Sequence, residues 1–271
     1  MAQYSLQEMM VIIAAREVKN SDIVLCGTGI SMLAAIAAKK ITAPEASIFF
    51  ETGAVDVQFA QIPLSLADPR IMQGAIKLAG LAESFNIIQN RTTGRSVISI
   101  LGAAQVDIYG NLNSTAIGED YRKPKVRFSG SGGACDIGSL AGQFWIFMEL
   151  GKRRFVEQVD YLTTPGFLDG PGAREKLGLP GGGPTLVITD KACFRFDDTS
   201  KKMYLHSCYP GFTAQAIQDE IGFKIDLTRA SEAKPPTEHE LHILRTQCDP
   251  DRMVLKGHVQ DEVGLTTQGL K

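Results

Sequence analysis

The chain has 271 residues, of which 44% are apolar and 21% charged, and its formal net charge is −2. These values are ordinary for a soluble globular protein, and the length suits one large α/β domain or two small ones. They give no support for nucleic acid or an anionic membrane as a partner, because phosphate binding needs clustered positive charge. We interpret the short basic run Lys152–Arg154 as a solvated patch or a subunit contact.

The cysteines and the N-terminal region bear on where the protein works. The five cysteines have no C-x-x-C spacing and cannot all pair within one chain, so we expect reduced thiols in a cytoplasmic protein and no zinc site. The apolar run Met9–Ala15 is too short to span a bilayer and lies between Glu8 and Arg16. We therefore expect no membrane contact.

The first elements alternate between helix and strand. Ser5 and Glu8 have the spacing of a capping box, which predicts a helix from there to about Lys19. The next three predicted elements are a strand, a helix and a strand, over residues 22–26, 31–40 and 47–50. Asp68 followed by Pro69 is typical of a helix start, and this pair predicts a helix that continues to about residue 81.

The rest of the chain is predicted to add strands, a hairpin and one more helix. Further strands are expected over residues 97–101, 126–129, 145–148, 159–163 and 186–189. Residues 193–196 and 203–206 alternate around a polar turn and predict a β-hairpin. The Gly- and Pro-rich stretch 164–184 is expected to form a long ordered loop. Thr237 and Glu240 mark a capped helix near the C-terminus.

This order of elements predicts an α/β fold. Strands that alternate with helices favour an open, mostly parallel sheet with helices on both faces. The hairpin and the last helix add a C-terminal extension to that sheet. We expect a single domain over residues 1–271.

Ligands of open α/β sheets bind beyond the carboxyl ends of the strands. The turn Gly27-Thr28-Gly29 follows a predicted strand and opens a helix, so its backbone N–H groups could hold an anion. The spacing is not a full G-x-G-x-x-G, because Met32 stands where the third glycine would come and neither Leu33 nor Ala34 supplies one, and there is no P-loop. A tight turn that simply needs small residues explains the pattern equally well.

Glu51 ends an apolar strand and is followed by Thr52 and Gly53. A carboxylate at the mouth of such a strand can be partly desolvated, which makes it a stronger base and nucleophile than a hydrated one. The simpler interpretation is a surface acid at the end of a strand. The residues of this segment alone do not distinguish a desolvated nucleophile from a surface acid.

The run Gly130–Asp136 has three glycines within four residues. Such a loop can bring consecutive N–H groups, such as those of Gly132 and Gly133, close to an oxygen that gains negative charge. A flexible connector is the alternative. Cys135 in this run is expected to be a small space-filling thiol. The histidines show no metal-binding spacing, and His239 and His242 are expected on a solvated helix face.

Several segments together resemble the glutamate-bearing B subunits of glutaconate-type, family I CoA-transferases. The resemblance covers nearly the whole chain and is looser after about Gly211. The stretches that carry it are S-I-F-F-E-T-G-A-V-D at 47–56, G-A-A-Q-V-D-I-Y-G-N-L-N-S-T at 102–115, R-F-S-G-S-G-G-A at 127–134 and an extended match over 152–191. The family carries its catalytic glutamate in an E-S-G motif, and Glu51-Thr52-Gly53 stands in that place with threonine for serine.

The resemblance implies an activity, a site and a partner. Glu51 would be the nucleophile that carries CoA as a glutamyl thioester between an acyl-CoA and a carboxylic acid such as glutaconate. Substrate and CoA contacts would come from the two glycine turns and the glycine loop: Gly27, Thr28, Gly29, Gly53, Gly132, Gly133 and Ala134. No cofactor or metal is implied, since CoA is the substrate. The partner would be the homologous A-type subunit of a CoA-transferase, in an α2β2 or larger hetero-oligomer with the active site between the two chains.

Two other functions remain compatible with the sequence. Related proteins on this scaffold act as acyl-CoA hydrolases or decarboxylases, although one such decarboxylase has cysteine where Glu51 stands here. A ligand-binding module without catalysis is the third possibility, but the sequence has no helix-turn-helix segment and no attached regulatory domain. The presence of a glutamate at position 51 favours transfer.

Overall fold

A computed structural model describes residues 3–58 and 61–255. They divide into two compact units. The first contains the described residues up to Ser84 and those from Lys234 to Leu255, and the second contains Phe85–Ala233. The single domain that we expect over residues 1–271 stays a prediction. Within the described ranges, no helix has the length and apolar character needed to cross a membrane.

The first unit contains a four-stranded sheet with the order β1-β2-β3-β4. Its strands are β1 (Ile23–Leu25), β2 (Ser47–Phe49), β3 (Ala54–Val55) and β4 (Lys77–Leu78). β1 and β2 are parallel, whereas β2 with β3 and β3 with β4 are antiparallel. Its helices are α1 (Leu6–Glu17), α2 (Ile30–Ile41), the start of α3 (Leu81–Gln89), and α7 (Glu238–Ile243), which continues as a π-helical turn over Leu244–Cys248.

Both predicted capping boxes are confirmed. The Ser5 hydroxyl accepts from the backbone N–H of Glu8, and Thr237 with Glu240 forms the same arrangement at the start of α7. Glu8 is also fully buried and accepts two hydrogen bonds from Arg245, at 2.7 and 2.8 Å. Burial alone would raise the pKa of Glu8, but the Arg245 guanidinium and the backbone N–H of Ser5 hold it below its usual range. This ion pair ties the C-terminal helix to α1.

The helix predicted from Pro69 to about residue 81 is wrong. Asp68 does cap a helical turn, but this is a 3₁₀ helix of four residues, Pro69–Met72. The chain becomes extended at Gln73 and then pairs with β3 as strand β4. Gly74 would lie inside the predicted helix, where glycine costs roughly 1 kcal/mol relative to alanine. Pairing with β3 in the sheet is therefore more stable for this segment than a helix.

The second unit contains a six-stranded sheet with the order β14-β13-β12-β11-β10-β5. These strands are β5 (Val97–Gly102), β10 (Gln143–Phe147), β11 (Pro184–Ile188), β12 (Ala192–Phe196), β13 (Met203–Cys208) and β14 (Ser231–Glu232). β5, β10 and β11 run parallel, β11 with β12 and β12 with β13 are antiparallel, and β14 is parallel to β13. The predicted hairpin is therefore confirmed as β12 and β13.

Two small antiparallel pairs and three short helices complete the second unit. The pairs are β6 (Gln105–Val106) with β7 (Leu112–Asn113), and β8 (Ala116–Ile117) with β9 (Val126–Arg127). The helices are α4 (Ala134–Leu140), α5 (Ala173–Lys176) and α6 (Ala214–Asp219), and a 3₁₀ turn covers Gly94–Ser96. The core includes Phe155 and Phe194, whose ring centroids lie 5.4 Å apart.

Two predictions for residues 159–184 have opposite outcomes. The strand expected over 159–163 is wrong, because this segment makes only one isolated bridge nearby, between Leu112 and Thr164. The Asp160 carboxylate instead binds the side-chain amide of Gln105, and Leu162 points into solvent. The ordered loop over 164–184 is confirmed. Its buried Arg174 donates to five backbone carbonyls of the surrounding chain.

Candidate active site

The parallel pairing of β1 and β2 brings two predicted turns to one edge of the first unit's sheet. Leu25 is the register partner of Phe49, and the backbone N–H of Cys26 donates to the carbonyl of Phe49 at 3.3 Å. The two segments therefore leave the sheet side by side. Gly27 begins one turn and Glu51 begins the other, at the carboxyl ends of the strands where ligands bind in such sheets.

Backbone hydrogen bonds close the Glu51 turn tightly. The Phe50 N–H donates to the carbonyl of Ala54 at 3.0 Å, and the Gly53 N–H donates to the carbonyl of Phe50 at 2.9 Å. The Ser84 hydroxyl, from α3, donates to the same Phe50 carbonyl at 2.8 Å. Glu51 lies half-buried at the tip of this turn. In the described part of the chain its carboxylate has no hydrogen-bond or ion-pair partner, so it is available to a ligand.

Gly53 is required by the close approach of a neighbouring segment. Its φ is +96°, and a Cβ at this position would lie 1.9 Å from the carbonyl oxygen of Ala79. The Ala79 N–H also donates to the Gly53 carbonyl at 2.9 Å. Gly53 thus fixes the turn against the segment that follows β4, and its predicted contact with substrate is not needed to explain why it is glycine.

The second turn leads into the N-terminus of α2. Gly29 is the N-cap residue, and no side chain caps this helix end. No acidic residue lies in the first helical turn, although the Ser31 hydroxyl donates to the Thr28 carbonyl at 3.1 Å. The positive end of a 12-residue helix dipole therefore lies at the edge that carries Glu51. Such a terminus favours an anionic group of a ligand.

The glycine loop belongs to the second unit. Gly130 is anchored to Ser114 by two hydrogen bonds, of 3.2 Å from the Gly130 N–H to the Ser114 carbonyl and 3.1 Å from the Ser114 hydroxyl to the Gly130 carbonyl. The Ala134 N–H donates to the Ser131 carbonyl at 2.9 Å and is therefore already used within the loop.

The backbone N–H groups of Gly132 and Gly133 are the donors that this loop leaves available. Neither has an acceptor among the described residues. The loop thus leaves two N–H donors available to a ligand, whereas the Ala134 N–H is not available, and the binding roles of Gly132, Gly133 and Ala134 stay predictions. The structure brings Gly27, Thr28, Gly29, Glu51 and Gly53 together in the first unit, and Gly132, Gly133 and Ala134 together in the second.

The structure also tests the predictions for Cys135 and the histidines. Cys135 is exposed, so the expectation of a space-filling thiol is wrong; its helix, α4, presents this position to solvent. His239 and His242 are exposed, as predicted. His258 lies outside the described residues. Within the described ranges, no group of three or more His, Cys, Asp or Glu side chains could hold a metal ion.

Two residues at the Glu51 turn were not predicted from the sequence. Ser84 is buried and lies 34 positions from its acceptor, Phe50, so nothing in the local sequence signals the contact. Thr52 has a buried hydroxyl with no partner among the described residues. A buried polar atom without a partner is uncommon, and its position beside Glu51 makes it a candidate substrate contact.

Comparisons with known proteins identify the family of this chain. Residues 7–220 match the family model described as Coenzyme A transferase. The sequence is 39% identical to the B subunit of glutaconate CoA-transferase from Acidaminococcus fermentans, over 93% of this chain and 96% of the relative. The chain belongs to the coenzyme A transferase family. The resemblance noted in the sequence, and the predicted enzyme class, are confirmed.

Further members of the coenzyme A transferase family extend this result. The chain is 36% identical to the B subunit of 3-oxoadipate CoA-transferase from Pseudomonas knackmussii, over 90% of this chain and 94% of the relative. It is also similar to the crystal structure of the Acidaminococcus fermentans glutaconate enzyme, with a TM-score of 0.90 and 37% identity over 94% of this chain and 98% of that one. The predicted α/β fold class is confirmed, and the non-transferase alternatives are not favoured.

Proposed function

We propose that this chain is the subunit that carries the catalytic glutamate of a CoA-transferase, with Glu51 as the nucleophile. The proposal rests on the environment of the Glu51 side chain. It lies half-buried at the tip of a turn closed by hydrogen bonds, without a partner of its own among the described residues. A positioned carboxylate that nothing neutralises is suited to attack an electrophilic carbonyl.

The reaction would proceed in balanced steps. The Glu51 carboxylate attacks the thioester carbonyl of the acyl-CoA, and collapse of the tetrahedral adduct breaks the C–S bond. This gives a mixed anhydride and CoA thiolate. The thiolate then attacks the Glu51 carbonyl, which forms an enzyme-bound glutamyl-CoA thioester and releases the first acid as its carboxylate. A second acid takes the CoA by the reverse steps.

Each tetrahedral adduct places negative charge on an oxygen, and the structure offers donors suited to that charge. The N–H groups of Gly132 and Gly133 have no acceptor in the described part of the second unit. Loss of one good oxyanion donor typically raises the barrier by about 3 kcal/mol. The N-terminus of α2, with Gly27, Thr28 and Gly29, would hold the carboxylate of the substrate or a phosphate of CoA.

A homologous A-type subunit would complete the enzyme, in an α2β2 or larger assembly. Both relatives are named as the B subunits of their enzymes. In the first unit, large apolar side chains are exposed along the segment that follows the Glu51 turn: Leu64, Met72, Ile76, Leu78 and Leu81. Ile76 and Leu78 lie at the edge strand β4, and an exposed apolar edge strand normally needs a cover. We propose that the A-type partner covers it.

The substrates follow from the relatives' names and from the chemistry of the site. The relatives are named for glutaconate and 3-oxoadipate, which are both dicarboxylic acids. We propose a dicarboxylic acid such as glutaconate as an acceptor, an acyl-CoA as the donor, and no cofactor. The five cysteines lie within the described ranges, and none of them forms a disulfide there. This agrees with the proposed cytoplasmic location.

Covalent capture tests the proposed nucleophile. The chain, assembled with its A-type partner, would be incubated with an acyl-CoA and reduced with borohydride. We expect the glutamyl thioester to be reduced to an alcohol at position 51, detected by peptide mass spectrometry. Glu51→Gln should lower the transfer rate by more than about 10³-fold, because an amide is not a nucleophile. The surface acid Glu45 provides the matched control, and Glu45→Gln should keep full activity.

The same experiment can contradict the proposal. If position 51 stays unmodified while the parent enzyme turns over, the covalent intermediate lies elsewhere. If Glu51→Gln folds and assembles as the parent does and still transfers CoA at a comparable rate, the role of Glu51 is wrong. Size-exclusion chromatography of the variant complex shows which chains are assembled in each case.

A further inference from the structure

The β8–β9 hairpin of the second unit carries an aromatic surface that the proposed chemistry does not use. The rings of Tyr121 and Tyr161 stack with centroids 5.3 Å apart and an interplanar angle of 28°. The Arg127 guanidinium lies 4.2 Å from the Tyr121 ring centroid. Tyr121 and Tyr161 are 53% and 38% exposed, respectively. We call these three side chains the tyrosine–arginine platform.

Hydrogen bonds hold the platform in place. The Gly118 N–H donates to the Asp160 carboxylate at 2.7 Å, which joins the loop of Tyr121 to the segment of Tyr161. Arg127 donates to the backbone carbonyl of Tyr121 at 2.5 Å. The two rings are therefore positioned by the fold itself. A preorganised surface of this kind loses little entropy when a ligand binds.

The platform lies within a dense run of positive charge. Four cationic residues fall within six positions, and all are exposed: Arg122, Lys123, Lys125 and Arg127. None of the four makes an ion pair with a described residue. Glu119 and Asp120, at the start of the same loop, offset two of these four positive charges. The remaining positive charge is free to meet an anionic ligand.

The platform leads directly into the glycine loop. β9 ends at Arg127, and Gly130 is anchored to Ser114 by two hydrogen bonds. Arg127 and Gly132 are five positions apart, and fully extended chain spans at most about 3.6 Å per position, so their Cα atoms are at most roughly 18 Å apart. The pantetheine arm of CoA is a flexible chain that separates the thioester from the phosphates over a comparable length.

We infer that the tyrosine–arginine platform binds the adenosine 3′-phosphate 5′-diphosphate end of CoA. The adenine would stack against the exposed tyrosine pair, and Arg127 with the neighbouring lysines would bind the phosphates. Aromatic side chains stack favourably on nucleobases, and arginine binds phosphate oxygens through paired N–H groups. The inference rests on the proposed function, because it takes CoA as the substrate.

A ratio of specificity constants tests the inference in the assembled enzyme. Acyl-CoA and the corresponding acyl-pantetheine share the thioester but differ in the nucleotide. We expect Tyr121→Ala and Arg127→Gln each to lower the ratio of kcat/KM for acyl-CoA to kcat/KM for acyl-pantetheine by about tenfold, mainly through a higher KM for acyl-CoA. An effect on chemistry or folding alone would change both substrates equally and leave the ratio unchanged.

The second unit supplies a matched control. Arg229 also stacks on a tyrosine, Tyr204, at 4.5 Å from the ring centroid, but its guanidinium is paired with the carboxylates of Asp197 and Asp226. The control variant Arg229→Gln should leave the ratio unchanged. An unchanged ratio for both platform variants, or an equal fall for Arg229→Gln, would overturn the inference.

A binding measurement separates this inference from the proposed function. Adenosine 3′,5′-bisphosphate contains the adenine and the 3′-phosphate of CoA but no thioester, so its binding to the complex by calorimetry requires no catalysis. We expect Tyr121→Ala to weaken this binding about tenfold and Glu51→Gln to leave it unchanged. A Tyr121→Ala complex that binds the bisphosphate as tightly as the parent contradicts the platform, whereas absent transfer in the parent contradicts only the proposed function. If Tyr121→Ala prevents assembly with the A-type partner, the platform is a subunit contact and the inference is wrong.

Discussion

The Glu51 turn and the glycine loop both contain glycine at positive φ, but they are built in opposite ways. Gly53 is pressed against the segment after β4, and a Cβ there would lie 1.9 Å from the carbonyl oxygen of Ala79. At Gly130 and Gly132, with φ of +99° and +50°, no atom lies within 4 Å of the Cβ position. One turn is closed by its neighbours, and the other is open.

This difference matches what each region would do in the proposed reaction. A nucleophile must be held in one orientation, since a displacement of about 1 Å can cost roughly 10²-fold in rate. The packing around Gly53 provides that rigidity for Glu51. An oxyanion site must instead leave space for the ligand, and the open surface at Gly132 leaves it. Substitutions in the two regions can show whether the rigidity of one and the openness of the other are separable.

Gly53→Ala should have the largest effect on stability. The methyl group would clash with the Ala79 carbonyl, and alanine is strained at a φ of +96°. Overpacking and left-handed strain together predict a loss of about 3 kcal/mol in the free energy of unfolding. Urea denaturation of the assembled enzyme would measure it. Gly151 is the control, because it has open space and no positive φ, and Gly151→Ala should be within about 0.5 kcal/mol of the parent.

If the Gly53→Ala and Gly151→Ala variants are equally stable, the Glu51 turn is not more tightly packed than the glycine loop. Such a result would mean that the segment around Ala79 can move away at little cost, so the Glu51 turn would not be held by packing. Transfer activity of Gly53→Ala would then distinguish a turn that stays aligned from one that has shifted.

Much of the fold could be predicted from local patterns. The capping boxes at Ser5 and Thr237 and the hairpin at β12–β13 each depend on residues close in sequence, and each was predicted correctly. The helix expected after Pro69 failed because the alternative, pairing of β4 with β3, is a contact between segments more than 20 positions apart. Asp160 likewise bonds to Gln105, far along the chain, where a strand was expected.

The candidate site was predicted through motifs and through the order of strands. Glu51 and the turn at Gly27 follow neighbouring parallel strands, so their common edge could be expected from the sequence. The contact from Ser84 to Phe50 and the buried hydroxyl of Thr52 depend on tertiary packing. Tyr121 and Tyr161 are 40 positions apart, and their stacking could not be deduced from either segment alone.

Gly132→Ala tests the open region and should affect catalysis more than folding. Alanine fits the available space but is strained at a φ of +50°, which predicts a loss of about 1 kcal/mol in the free energy of unfolding. The added methyl group would also occupy the space meant for the substrate oxygen, so we expect kcat to fall by about 10²-fold. Stopped-flow transfer assays and urea denaturation would measure the two effects. A stability loss as large as that of Gly53→Ala, with little change in kcat, would contradict the distinction.

Ser84→Ala should loosen the Glu51 turn without breaking it. The Phe50 carbonyl would lose the hydrogen bond from the Ser84 hydroxyl but keep the one from the Gly53 N–H. We expect a loss of about 1 kcal/mol in the free energy of unfolding, together with a several-fold lower kcat and an unchanged KM for acyl-CoA. The exposed Ser65 provides the control, and Ser65→Ala should change neither quantity appreciably. If Ser84→Ala raises KM alone, the turn is not the element that this hydroxyl positions.

Thr52→Val should give the smallest change in stability and the sharpest test of whether the closed turn also contacts substrate. The Thr52 hydroxyl is buried without a partner among the described residues, so its removal should leave stability unchanged or raise it by up to about 1 kcal/mol. The E-S-G motif of the resembling family also has a hydroxyl at this position. Stability does not explain a hydroxyl here, because a buried hydroxyl without a hydrogen-bond partner destabilises the fold. We therefore expect Thr52→Val to lower transfer several-fold and Thr52→Ser to preserve it, measured as kcat/KM with urea denaturation in parallel. A valine variant that is fully active would show that the hydroxyl has no part in the reaction and that the turn serves only to hold Glu51.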